Sequence, residues 1–145
     1  MTTVRTQITT LEGGRVHKVY ADPLTGGAPW TVGIGHTGPE VKQGDTWTDA
    51  QIDAAFEADM QEATNFCTKQ VVGFNAMNEP RQAVLIGMAF QMGSRRLLGF
   101  RNMLAAVAAG NYFTAARQMQ DSAWARQTPK RVAILSRQME TGAWQ

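Results

Sequence analysis

Val4, Ile8 and Leu11 recur at helical spacing behind a run of threonines, and the pair Gly13-Gly14 follows them. This pattern predicts a first helix whose last turn holds Glu12 and whose stop is a left-handed glycine. Val16, Val19 and Tyr20 are strand-type residues, and "DPLTGGAP" (Asp22 to Pro29) is strong turn chemistry. Trp30, Val32 and Ile34 then alternate with Thr31, Gly33 and Gly35, which predicts one half-buried strand with Thr31 on the open face opposite the apolar trio. Thr48 to Gln51 reads as a capping box, followed by Ile52, Phe56, Met60, Ala63 and Cys67 on one face of a helix running to about Lys69. A third helix is predicted from near Pro80 through "AVLIGMAFQMG", apolar on nearly every face and hence central. Shorter helices are predicted over Phe100–Ala109 and Asn111–Gln120, and a last one over about Lys130–Glu140, stopped by Gly142. The expected fold class is α+β, one domain over residues 1–145, with a β lobe at about 14–46 and a helical lobe at about 48–145 plus the N-terminal helix.

Composition narrows the function classes. With 43% hydrophobic and 18% charged residues the chain is globular, and 145 residues suffice to bury a core without metals or disulfides. A formal charge of only +2 does not demand a nucleic-acid partner. Cys67 is the only cysteine, which excludes an intrachain disulfide and suits a reducing compartment. The N-terminus lacks a secretion-signal pattern, and the longest apolar run, Ala83 to Phe90, falls far short of the roughly 20 residues that span a bilayer. The expectation is therefore a cytosolic chain without membrane insertion. His17, His36 and Cys67 are too few for a zinc site, so no metal and no cofactor are expected. "GIGHTG" lacks the spacing and the lysine of a phosphate loop; its glycines fit close backbone approach to a ligand chain.

The chemistry-bearing stretch is Glu12 to Gly38. Taken singly, Glu12 is an ordinary helix-end acid, Asp22-Pro23 a common turn opening and Thr31 a strand residue. Together they match glycoside hydrolysis, which uses one carboxyl as proton donor to the leaving oxygen and a second, ionised group to direct water. The two must differ in environment. A helix C-terminus disfavours an anion at Glu12, whereas turn N–H groups favour one at Asp22.

The segment "EGGRVHKVYAD…WTVGIGHTG" resembles the front of the phage-type lysozymes, the muramidase endolysins of the T-even phage kind. "AFQMG" at 89–93, "GF" at 99–100, "SAWARQTPKR" at 122–131 and "TGAW" at 141–144 resemble further blocks in family order, so the resemblance covers essentially the whole chain. It implies a lysozyme-like fold with an active-site cleft between a small three-stranded β lobe and a larger helical lobe. It implies hydrolysis of the β-1,4 bond between N-acetylmuramic acid and N-acetylglucosamine of peptidoglycan, with Glu12 as general acid and Asp22 and Thr31 positioning water. Gly35, Thr37, Phe90, Gln91 and Gln118 fall at substrate-side positions, Arg131 at that of an arginine orienting the glutamate, and His36 opposite Asp59. Met103 also falls at a sugar-side position but reads as core filler, and Trp124 either borders the cleft or anchors the helical lobe. The implied partner is the peptidoglycan glycan strand, with no nucleic acid and no cofactor. The chain is expected to be a monomer that waits in the host cytoplasm for a holin to open access to the periplasmic wall. Two alternatives stand beside this reading: a lytic transglycosylase, and a non-catalytic wall-binding or structural protein on the same fold.

Overall fold

The first helix, α1 (Val4–Leu11), stops where the double glycine dictates. In the computed structural model, which describes all residues from Met1 to Gln145, Gly13 and Gly14 have φ of 86° and 85°. The Gly14 N–H reaches back to the Thr9 carbonyl (2.9 Å) and that of Gly13 to Thr10 (3.1 Å), closing a Schellman cap. Glu12 is thereby the last residue of the helical spiral, its own N–H bonded to the Ile8 carbonyl at 2.9 Å.

The chain folds into two compact units, Arg5–Glu62 and Met1–Val4 with Ala63–Gln145. The first holds a three-stranded antiparallel sheet, β1 (Val16–Tyr20), β2 (Thr31–Gly33) and β3 (His36–Thr37), in that order. Tyr20 pairs with Thr31, Val16 with Gly33, and Thr31 in turn with Thr37. Asp45–Trp47 runs along the free edge of β1 through a Lys18–Thr46 bridge. Val19, Val32 and Val41 form the sheet's apolar cluster, with Trp30 and Trp47 packed on it. The strand expected from Trp30 to Gly35 is shorter: Ile34 and Gly35 are the turn of a β2–β3 hairpin, and Gly33 and Gly35 take φ of 68° and 67°. A Cβ on Gly33 would stand 3.0 Å from Ile52, so glycine there also admits the following helix. That helix, α2 (Asp49–Gln70), opens on the expected capping box. The Thr48 N–H donates to Gln51 Oε1 at 2.8 Å and the Gln51 N–H to Thr48 Oγ1 at 3.2 Å.

From Ala63 onward the chain is helical. Burial pushes the Cys67 thiol up to about 12, so it packs as a neutral hydrophobe. A 3-10 turn (Phe74–Ala76) leads to α3 (Glu79–Met92), capped by Asn78, whose Oδ1 accepts the Arg81 N–H. Val84, Leu85 and Met88 of α3 are wholly buried, as its near-continuous apolar sequence requires. Then come α4 (Ser94–Leu98), α5 (Arg101–Ala108), α6 (Tyr112–Gln120), α7 (Ala123–Gln127) and α8 (Pro129–Thr141). The α6 helix packs on α5, α7 and α8, while α3 packs on α4 and α8. The five-residue helices α4 and α7 were not expected, since neither is long enough to display a helical period.

Arg81 clasps α3 to the end of α8. Its Nε donates to the Met139 carbonyl at 2.7 Å and its Nη2 to that of Glu140 at 2.9 Å, while the guanidinium lies 4.0 Å above the Tyr112 ring. These carbonyls carry the negative end of the α8 dipole, which a cation satisfies. Arg81→Ala is expected to cost about 1.5–3 kcal/mol, the range for hydrogen bonds to a charged group, measured by urea unfolding. A loss within about 0.5 kcal/mol of a surface substitution would show the clasp to be dispensable.

Candidate active site

Glu12 projects from the end of α1 against the β2–β3 hairpin. A Cβ at Gly35 would lie 2.5 Å from Glu12 Oε2 and 2.8 Å from its Cδ, so the carboxyl rests directly on the glycine backbone. Positive φ favours glycine at 35, and a Cβ there would force the Glu12 carboxyl to shift. Asp22 opens the turn after β1. Its Oδ1 accepts the Leu24 N–H at 2.7 Å, and its carbonyl accepts the N–H groups of Thr25 and Gly26. Thr31, at the start of β2, is 9% exposed and its hydroxyl donates to the Pro29 carbonyl at 3.2 Å. The open face expected for Thr31 is not found: β2 is the central strand, and all three of its residues are buried.

Tyr20 closes β1 two residues before Asp22. Burial, then the negative charges of Glu12 and Asp22, hold its phenol above the usual value, and its backbone pairs across the sheet with Thr31. Sequence reasoning passed over this tyrosine as a strand-former; the available signal was its place two residues before Asp22. Thr37 is exposed on β3 opposite Thr31.

The remaining sequence-predicted residues belong to the unit from Ala63. Phe90 and Gln91 are half-buried in the last turn of α3, Gln118 is half-buried on α6 and Arg131 half-buried in the first turn of α8. Gln91 Oε1 accepts the Trp124 Nε1–H at 3.0 Å. Trp124 is 2% exposed and meets the Phe100 ring edge-on at 6.0 Å, so it anchors the helical core. Met103 is buried in the core.

His36 pairs with Asp59 as the resemblance implied, and gains a second acid. Its Nδ1 lies 2.6 Å from Asp59 Oδ2 and its Nε2 2.5 Å from Glu40 Oε1, with the Trp47 ring centroid at 5.5 Å. Glu40 was missed, although it stands four residues after His36 across a Gly-Pro turn. The hydrogen bond to Asp59 comes first among the causes that raise the imidazole pKa to about 9, with burial opposing and Glu40 adding to the rise. The Glu40 carboxyl is held below its usual value, chiefly by the His36 bond.

The Phage lysozyme family matches this chain over residues 10–141. The probable T4-type lysozyme 1 of Dictyostelium discoideum is 30% identical over 99 residues, 66% of this chain and 58% of that protein. The pre-baseplate central spike protein Gp5 of Enterobacteria phage T4 is 36% identical over 85 residues, 59% of this chain and 15% of that protein. The chain thus spans 58% and 15% of the length of these two relatives.

The signs at His36 define a stability window. A raised folded-state pKa means that its contribution is complete below the ordinary 6.5 and is lost as pH climbs through about 9. The lowered Glu40 contributes above its ordinary 4.5 and is lost as pH falls through the depressed value. Stability should therefore peak between about pH 4.5 and 6.5 and fall by about 1–3 kcal/mol towards pH 9, discounting for solvent on the Glu40 side. Urea unfolding across pH checks the slope, which His36→Gln should flatten. An imidazole titrating by NMR at its ordinary value would contradict it.

Proposed function

We propose, because the chain belongs to the phage lysozyme family of glycoside hydrolases, that it hydrolyses the β-1,4 bond between N-acetylmuramic acid and N-acetylglucosamine in peptidoglycan. The observation that carries this reading is the placement of Glu12, at the capped end of α1, against the β2–β3 hairpin, with Asp22 in the turn that follows β1 of the same sheet. Glu12 donates its proton to the glycosidic oxygen as the bond from the sugar's C1 breaks. Water adds to C1, its proton passes to Asp22 and then to solvent, and Glu12 regains a proton from solvent. With its own proton on the Pro29 carbonyl, the Thr31 hydroxyl keeps lone pairs to accept a hydrogen bond from that water. Gly35 and Thr37 of the hairpin flank the sugar chain. No cofactor enters any step.

The biological reading that fits is an endolysin. It accumulates in the host cytoplasm as a monomer and reaches the periplasmic wall after a holin opens the membrane. The likeness to a phage spike protein favours a second setting, a virion-borne enzyme acting from outside. A lytic transglycosylase needs one acid and no bound water, so it leaves Asp22 and Thr31 without a task.

The test is the loss of turbidity of outer-membrane-permeabilised Gram-negative cells, with product analysis. New reducing ends mark hydrolysis, and an anhydro sugar marks transglycosylation. Glu12→Gln should remain folded and lose at least about 10² to 10⁴ in rate, the contribution of a positioned acid. A variant keeping a tenth of the wild-type rate would remove Glu12 from its role. Gly35→Ala pushes a methyl into the Glu12 carboxyl and should lower kcat by more than about tenfold. A wild-type chain that binds sacculi without cleaving them would leave only a wall-binding protein.

A further inference from the structure

The modest net charge conceals a segregation. The 14 bases and 12 acids divide as four and nine over Arg5–Glu62, and as ten and three over the rest, where the acids are Glu79, Asp121 and Glu140. Within Arg5–Glu62 two of the four bases and both histidines are met locally: Arg5 by Glu57, Arg15 by Asp49 and Asp53, His17 by Asp49, and His36 by Glu40 and Asp59. The base-rich unit has no such supply. No acid occurs in the sequence between Glu79 and Asp121, a stretch that carries Arg95, Arg96 and Arg101.

These three arginines are exposed on α4 and at the start of α5. Among them stands Leu98, 46% exposed, while its neighbour Leu97 is wholly buried and pins the segment to the core. A second apolar–basic pair lies on α6 of the same unit, where Arg117 stacks 5.8 Å from the ring of Phe113, itself 58% exposed. Guanidinium groups match phosphate as well as carboxylate. A leucine set among them gains only where the anionic surface also offers apolar matter, which neither a nucleic-acid backbone nor hydrated wall peptides supply.

We propose that Ser94–Arg101 is a peripheral docking surface for anionic phospholipid bilayers, with Arg95, Arg96 and Arg101 on the headgroup phosphates and Leu98 at the acyl boundary. The contact is adsorption at the interface, and no helix of the chain is long and apolar enough to cross the bilayer. It holds a wall-degrading chain close to the membrane beside which its substrate lies, yet depends on none of the groups placed at the candidate active site.

The test is co-sedimentation of the full chain with vesicles of phosphatidylcholine alone and of an equimolar mixture with phosphatidylglycerol, over a salt series. Binding should be confined to the mixed vesicles and weaken steeply with salt. Each base at an anionic surface is worth about a fivefold gain in partitioning, so Arg95→Glu, Arg96→Glu and Arg101→Glu combined should lose about a hundredfold or more. Leu98→Ser should lose several-fold at every salt concentration, and lysis of permeabilised cells by both variants should be unchanged. Circular dichroism checks folding; should the reversal variant unfold, the three Arg→Gln changes and the wild-type salt series decide. Equal binding to neutral vesicles, indifference to the three reversals, or retention on isolated sacculi or DNA without retention on vesicles would each overturn the proposal.

Discussion

Two adjacent glycines in the left-handed conformation end the first helix, and the chemistry of residues 5–62 depends on that stop. The Schellman cap needs positive φ at Gly13, which a residue with a Cβ reaches only under strain, and Gly14 continues with positive φ. With the cap in place, the spiral finishes at Glu12 and the chain has just enough length to begin β1 at Val16. Tyr20 then closes the strand and Asp22 opens the turn after it. A helix one turn longer would move Glu12 off the hairpin. The opposite wall is set with similar economy, because Gly35 brings backbone rather than a side chain against the carboxyl.

Glycine costs conformational entropy on folding, and this unit uses it at each point where the backbone must turn sharply or approach closely. Compensation comes from electrostatics and caps. Nine acids against four bases would repel one another, but most of the acids are drawn into local pairs, and the half-buried His36 is kept protonated between two carboxylates. Exposed pairs such as Arg15 with Asp53 contribute little singly, whereas His36 sits where solvent screens less. The helical unit solves a different problem. Its core is filled by α3 and by methionines such as Met88, Met103, Met119 and Met139, and its charge faces outward with one dominant sign.

Most of the fold was legible because the signals that start and stop helices are local. The capping box at Thr48 and the glycine stops at Gly13-Gly14 and Gly142 each act within a few residues, so the chain declares them without reference to anything distant. The candidate acids were legible for a related reason: one falls at a helix end and the other at a turn, and their identities match a known family in order.

What tertiary structure alone decided is what rests on contact between distant residues. Gly33 and Gly35 accept extended or left-handed backbone equally well, so the glycine pattern alone did not separate a straight strand from the hairpin that β2 and β3 form. Thr31 was assigned to an open face by alternation, and its place as the central strand buried it. Tyr20 and Glu40 became members of charged clusters through strand register and the fold of a turn, and the short helices α4 and α7 formed where packing held five residues in place. Periodicity reports which residues prefer a helix, a strand or a turn; the field at a side chain depends on groups the chain brings back from far along its length, and that follows only from the packed core.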